Sequence, residues 1–151
     1  MNRPKVLFLC TTNSARSQMA EAFLKKFGAD KFETYSAGLE PKEIHPYAEQ
    51  VMKEIGIPLT GQYSKSFREY MGKVHFAYLI TVCAEAEKNC PTTFPGIGQR
   101  LHWPFEDPAA FSGSEDEKIR KFREVRDKIG EHLREWLKNQ WKKLSQLCKR
   151  S

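Results

Sequence analysis

The chain has 151 residues, 40% hydrophobic and 29% charged, which is enough to fill one core and too few to expect two. No apolar run approaches the roughly eighteen residues of a membrane span, and the opening "MNRPKVLFLC" lacks the long apolar core and cleavage site of a signal peptide, so a cytoplasmic protein without a membrane partner is expected. The net charge is +6, yet residues 118–151 alone hold twelve Lys and Arg against four Asp and Glu; the remainder is slightly acidic, which argues against nucleic acid as the ligand of the main domain.

The first apolar run, "KVLFLC" (5–10), reads as a buried strand. After it, "SQMAEAFLKKFG" sets Met19, Phe23 and Phe27 on one helical face and stops at Gly28. A second strand is expected at "FETYSA" (32–37), then a helix from Pro46 to Gly56 in "HPYAEQVMKEIG". The run "FAYLITVC" (76–83) is a third strand, followed by a helix-forming "AEAEK", and a short fourth lies at "QRLHW" (99–103). From Glu115 the spacing of Ile119, Phe122, Val125, Ile129, Leu133 and Leu137 marks a long amphipathic helix. Carried to Leu147 it would span roughly 45 Å, more than such a domain needs. The division expected is a main domain, 1–140, and a basic helical extension, 141–151, that projects, frays or meets a partner. Strands alternating with helices imply one α/β domain: a four-stranded parallel sheet flanked by helices, with ligands at the carboxyl ends of the strands.

The chemistry concentrates at those ends. Cys10 closes the first strand, small residues follow, and Arg16 opens a helix, so Thr11, Thr12, Asn13, Ser14, Ala15, Arg16 and Ser17 are the candidate oxyanion-binding residues. Backbone N–H groups of such a turn, with the positive end of the helix, form a cradle for a tetrahedral anion, and Arg16 adds a bidentate clamp. The same field favours thiolate over thiol, so Cys10 is expected to ionise more readily than an ordinary cysteine, with Ser17 donating a hydrogen bond to its sulfur. In "WPFEDPAAF", Asp107 before Pro108 is the candidate general acid, and Glu106 beside it offers the same chemistry. The four cysteines, at 10, 83, 90 and 148, have neither the spacing of a secreted disulfide framework nor the paired spacing of a zinc site; Cys148 is treated as incidental. His45, His75, His102 and His132 lack the spacing of a metal site, and none is expected.

Together "VLFLCTTNSARSQMAEAF", "SAGLEP", the His-Pro at 45–46 and "WPFEDPA" resemble the low-molecular-weight protein tyrosine phosphatase superfamily, and within it the thioredoxin-coupled arsenate reductases. The resemblance covers roughly residues 4–137. It implies a Cys10 nucleophile, an Arg16 clamp and an Asp107 acid, with no bound cofactor.

Phosphatases and reductases share that loop, and "VCAEAEKNCP" separates them. Cys83 follows the third strand, whose carboxyl end should lie beside that of the first, within reach of Cys10. In an intact helix Cys83 and Cys90 would lie about 10.5 Å apart along the axis, beyond the roughly 4.4 to 6.8 Å between Cα atoms that a disulfide spans. Pairing them requires the helix to unwind. Resembling reductases carry two cysteines at this spacing, which implies a relay: Cys10 attacks arsenate, Cys83 attacks Cys10 and expels arsenite, and Cys90 closes a Cys83 to Cys90 disulfide for thioredoxin to reduce. Two alternatives stand beside it. One is a phosphatase acting on phosphotyrosine or small phosphate esters through Cys10, Arg16 and Asp107. Against it, Ala109 and Ala110 stand where resembling tyrosine phosphatases carry aromatic residues. The other is a regulator that binds arsenic through three thiols without turnover.

The chain departs from the family pattern at three places. Ala15 stands where a second loop cysteine is frequent, and Thr12 where glycine is common. In some relatives Asn13, Glu21 and Ser36 with an Asp hold a potassium ion beneath the loop; Lys65 takes the place of that Asp, so its ammonium is expected to replace the ion.

Overall fold

The computed structural model describes residues 3–90 and 95–150. Four strands, β1 (Lys5–Cys10), β2 (Glu33–Gly38), β3 (Phe76–Thr81) and β4 (Ile97–His102), form one sheet in the order β2-β1-β3-β4. Every pairing is parallel. In β1, Val6, Leu7, Phe8 and Leu9 are all fully buried, the unbroken apolar run of a strand covered on both faces.

Helix α1 (Arg16–Gly28) returns the chain to β2, and α2 (Pro46–Glu54) follows with Pro46 at its first turn and the His45 side chain accepting from the Tyr47 N–H. Helix α3 (Ala84–Asn89) is six residues long, and α4 (Glu115–Arg150) is 36. The apolar stripe of α4 is buried at Phe122, Val125, Ile129 and Leu133. Its close approach to α1 depends on Gly130, where a Cβ would stand 2.9 Å from the Phe23 ring. Past Gln140 the helix continues with Trp141 and Leu147 exposed, and Lys31 lies over the Trp141 ring. The side chain of Cys148 lies outside the described residues.

The sheet order places the functional region. From β1 the chain crosses to β2 on one side and later to β3 on the other, so the connections leave β1 and β3 in opposite directions and open a crevice at their carboxyl ends. Leu9 pairs with Thr81, and Val82 N–H still bonds the Leu9 carbonyl at 3.0 Å. Cys10 and Cys83 therefore emerge side by side. The third strand ends two residues earlier than its apolar run predicts, because Cys83 leaves the ladder to cap α3.

Candidate active site

The loop after β1 is held from outside. The carbonyls of Cys10, Thr11, Thr12 and Ser14 accept from the N–H groups of Leu39 (3.2 Å), Glu40 (2.7 Å), Lys42 (2.9 Å) and His45 (2.9 Å). In a trans peptide the next N–H points opposite to the carbonyl, so the N–H groups of Thr11, Thr12, Asn13 and Ala15 turn the other way. Ala15, the N-cap of α1, supplies no side-chain acceptor, so the cradle and the positive helix end are left for an anion.

Asn13 is the sole non-glycine with positive φ among the described residues, at 52°. All of its amide capacity is used. Its Nδ2 donates to Ser17 Oγ at 2.8 Å and Ser36 Oγ at 3.0 Å, and its Oδ1 accepts from Lys65 N and Gln18 Nε2, both at 3.0 Å. Thr12, where glycine is common, needs no left-handed conformation; its hydroxyl lies 2.6 Å from that of Ser14. Ser17 is fully buried and its Oγ accepts from Asn13 Nδ2; the expected bond from Ser17 to the Cys10 sulfur is not formed.

Cys10 Sγ instead lies 3.6 Å from Cys83 Sγ, donating to it, and both residues are 2% exposed. Thr11 Oγ1 is 3.4 Å from Cys83 Sγ and donates to Glu85 Oε2 at 3.4 Å. Two thiolates this close repel, so the pair loses its first proton readily and its second with difficulty. The hydrogen bond from Cys10 is the largest cause that pushes Cys83 down to about 5, helped by Thr11, the Ala86 N–H and Arg16 against the opposing effect of burial. That same bond, with burial, pushes Cys10 up, while Arg16 and the Thr11 N–H pull it down. One negative charge is therefore shared across the sulfur pair, with the Cys10 hydrogen bond drawing it toward Cys83 and Arg16 drawing it toward Cys10. A thiolate absorbance persisting as pH falls to about 5 is expected, and Cys83→Ala should abolish that low-pH ionisation. An unchanged titration in the variant would reassign the charge.

Across the crevice, Arg16 Nη1 donates to the Phe105 carbonyl at 3.0 Å, and Nη2 lies 3.6 Å from Asp107 Oδ2. Asp107 caps the short 3-10 turn Pro108–Ala110, accepting from Ala109 N–H at 3.0 Å. Glu106, its chemical equal in the sequence, is tied to Lys121 on α4 at 2.6 Å. The cleft between the loop and this segment has a volume of about 540 Å3 and is lined by Thr12, Arg16, Cys83, Glu85, Phe105 and Asp107 among others. Phe105, two residues before Asp107, is an aromatic wall residue that the motif pattern does not single out; of the two alanines after the Asp-Pro, Ala110 lines the cleft.

Cys90 lies at the far end of α3, buried, with its N–H on the Ala86 carbonyl. Burial pushes its thiol up, against the pull of Arg100. Six helical residues lie between it and Cys83, a helical rise of about 10.5 Å over the seven steps, so the two sulfurs cannot bond while α3 is intact. None of these three cysteines is in a disulfide.

Beneath the loop, Lys65 is 6% exposed, not solvated. Its ammonium donates to the Tyr63 carbonyl at 2.7 Å and lies 3.9 Å from Glu21 Oε1, which also accepts from Ser36 Oγ at 2.5 Å; Lys25 pairs with Glu21 Oε2 at 2.5 Å. Burial lowers the Lys65 pKa and Glu21 opposes that shift. A potassium ion does not fit this arrangement, because the space beside Glu21 already holds an ammonium. Equal kcat/KM in potassium and sodium chloride at matched ionic strength is expected; a several-fold gain in potassium would show that Lys65 does not replace the ion.

A sheet-end cysteine in an N–H cradle, an arginine clamp and an Asp-Pro acid loop define an oxyanion-handling site of the phosphatase type. The sequence model of the low molecular weight phosphotyrosine protein phosphatase family matches residues 5–147, and the chain belongs to that family. Within it, the likeness is to arsenate reductases. That of Halalkalibacterium halodurans is 43% identical over 135 residues, covering 89% of this chain and 95% of its own. A solved arsenate reductase in the phosphate binding state superposes with a TM-score of 0.76 at 33% identity, covering 90% of this chain and 98% of its own. The thioredoxin-dependent arsenate reductase of Corynebacterium glutamicum gives a TM-score of 0.60 at 28% identity, covering 88% of this chain and 61% of its own. Among the described residues no helix is long and apolar enough to cross a membrane.

Proposed function

We propose that the protein reduces arsenate to arsenite through Cys10, Cys83 and Cys90, with thioredoxin as the external reductant. The observation that carries this reading is the 3.6 Å between Cys10 and Cys83 sulfurs. Phosphate-ester hydrolysis needs one cysteine; a second sulfur in contact with the first is what a disulfide-forming step requires.

Arsenate enters the cradle opposite Arg16, and the proton shared by the two sulfurs passes from Cys10 to Cys83, making Cys10 the nucleophile. A Cys10 to arsenic bond forms, and the departing oxygen leaves as water with a proton from Asp107 or a bound water. Cys83 gives that proton to an oxygen of the departing arsenic group and attacks Cys10 Sγ. The sulfur–arsenic bond breaks with its electron pair going to arsenic, so arsenic(V) becomes arsenic(III), arsenite leaves, and a Cys10 to Cys83 disulfide remains.

In the reduced chain Cys83 Sγ accepts from Ala86 N–H at 3.4 Å and caps α3. As a disulfide sulfur it carries no charge and is a poorer acceptor, so α3 loosens when Cys90 must arrive. Cys90 thiolate then attacks Cys83 Sγ, Cys10 departs as thiolate, and thioredoxin reduces the Cys83 to Cys90 disulfide. Slow hydrolysis of a phosphocysteine in the same cradle is the by-product this chemistry allows. The test compares arsenate-dependent NADPH consumption, coupled through thioredoxin and its reductase, with hydrolysis of a chromogenic phosphate ester. Ester hydrolysis without arsenate turnover would replace the reductase reading with the phosphatase one.

A further inference from the structure

Helix α3 must come apart for the second exchange, and the relay reading does not say what holds it until then. Ala86 is its one buried residue. The side-chain tie from its body to the sheet is Glu87, whose Oε2 accepts from the Thr81 hydroxyl at 2.5 Å. Thr81 is fully buried at the end of β3, and in the β3–β4 register it stands opposite His102. His102 Nδ1 lies 2.9 Å from Thr81 Oγ1 and 3.8 Å from Glu87 Oε2. With the hydroxyl proton directed at Glu87, the His102 Nδ1–H donates to Thr81, and the three side chains form one directed chain from β4 through β3 to α3.

We propose that Glu87, Thr81 and His102 form a latch that holds α3 folded in the dithiol state, and so sets both the rate of attack by Cys90 on Cys83 and the reduction potential of the Cys83 to Cys90 disulfide. The proposal rests on the relay reading. These are positioning residues: none reaches the arsenate cradle, and Thr81 and Glu87 act through the conformation of the segment between the cysteines. The exchange they govern needs no added oxidant. The bond formed is Cys83 to Cys90, the bond broken is Cys10 to Cys83, Cys10 leaves with the electron pair, and the proton of Cys90 goes to solvent. A smaller effect runs the same way: burial raises the Cys90 thiol, Arg100 opposes it, and the Glu87 carboxylate adds a lesser upward push. Latched, Glu87 keeps Cys90 distant from Cys83.

The latch stabilises the reduced, helical form, so its loss favours the oxidised form and lowers the potential. Glu87→Ala keeps a strong helix former in α3, and Thr81→Val keeps a β-branched residue in β3. Each is expected to raise the Cys83 to Cys90 exchange rate about tenfold and to lower the potential by the equivalent of about 30 mV, while the preceding single-turnover release of arsenite is unchanged. The double variant should add little to Glu87→Ala alone, and Thr81→Ser should restore parental values.

Potentials are measured in a glutathione or dithiol redox buffer in a Cys10→Ser background, which isolates the Cys83 to Cys90 couple without arsenate. Exchange is followed by rapid quench and thiol labelling with Cys10 present. Unchanged potential and exchange rate in both single variants, with the disulfide forming normally, would overturn the latch and leave the relay standing. If no Cys83 to Cys90 disulfide forms in the parent chain, relay and latch both fall.

Discussion

Cys90→Ser should release one arsenite per chain and then stop, with Cys10 and Cys83 joined, however much thioredoxin is supplied. The site geometry makes this the largest effect expected. Cys83 is buried beside Cys10, so the disulfide between them lies inside the crevice, where an external dithiol has no line of attack. On the proposed relay, Cys90 moves the oxidised pair outward, because it stands at the far end of a six-residue helix whose Cys83 cap weakens on oxidation. Mass spectrometry of the arrested chain should find the Cys10 to Cys83 bridge, and arsenite should be stoichiometric with protein. Sustained turnover in the variant would mean that thioredoxin reduces the first disulfide directly, and the order of the relay would be wrong.

Gly38→Ala is expected to lower kcat/KM on the order of 100-fold while the chain still folds. Gly38 ends β2 directly behind the oxyanion loop, paired with Cys10. A Cβ there would stand 2.9 Å from both Asn13 N and Thr11 O. Both are backbone atoms within the cradle, so the strain cannot be absorbed by a swinging side chain. The loop must shift by a few tenths of an ångström or more, and with it the N–H groups aimed at the anion. The accompanying loss of stability should be about 1 to 3 kcal/mol, the usual cost of overpacking. Activity and thermal unfolding measured together separate these effects. Parental kcat/KM in a folded variant would show that the loop tolerates displacement and that its carbonyl anchors are not what preorganises it.

Much of this was present in the residue pattern. Three of the strands end in or contain apolar runs between helical periods, the fourth, Ile97–His102, carries only Ile97 and Leu101, and a parallel sheet follows from the alternation of strand and helix. Cys10, Arg16 and Asp107 come together because sheet topology places their segments at one edge, and topology is what the alternation encodes. What the pattern could not carry was pairwise. Which of two adjacent carboxylates faces the crevice depends on Lys121, fifteen residues away in another element, which claims Glu106. Which of two sulfurs holds the charge depends on a hydrogen bond between segments more than seventy residues apart. His102 lacks the spacing of a metal site and its sequence neighbours suggest no other role; only the register that sets it opposite Thr81 gives it partners. Lys65 stands out in the sequence as a substitution at the ion site of resembling proteins, while its burial follows from the fold.

The second sulfur has a consequence for what the site accepts. Arsenate and phosphate share charge, shape and protonation, so a cradle of backbone N–H groups and one guanidinium cannot tell them apart by fit. Both would form an ester with Cys10. Attack by Cys83 sorts them, because the electron pair it displaces has somewhere to go in arsenic(V) and nowhere in phosphorus(V). On the proposed chemistry, therefore, discrimination is an act of proofreading after binding: the cradle admits every tetrahedral oxyanion, and only the reducible one is carried forward.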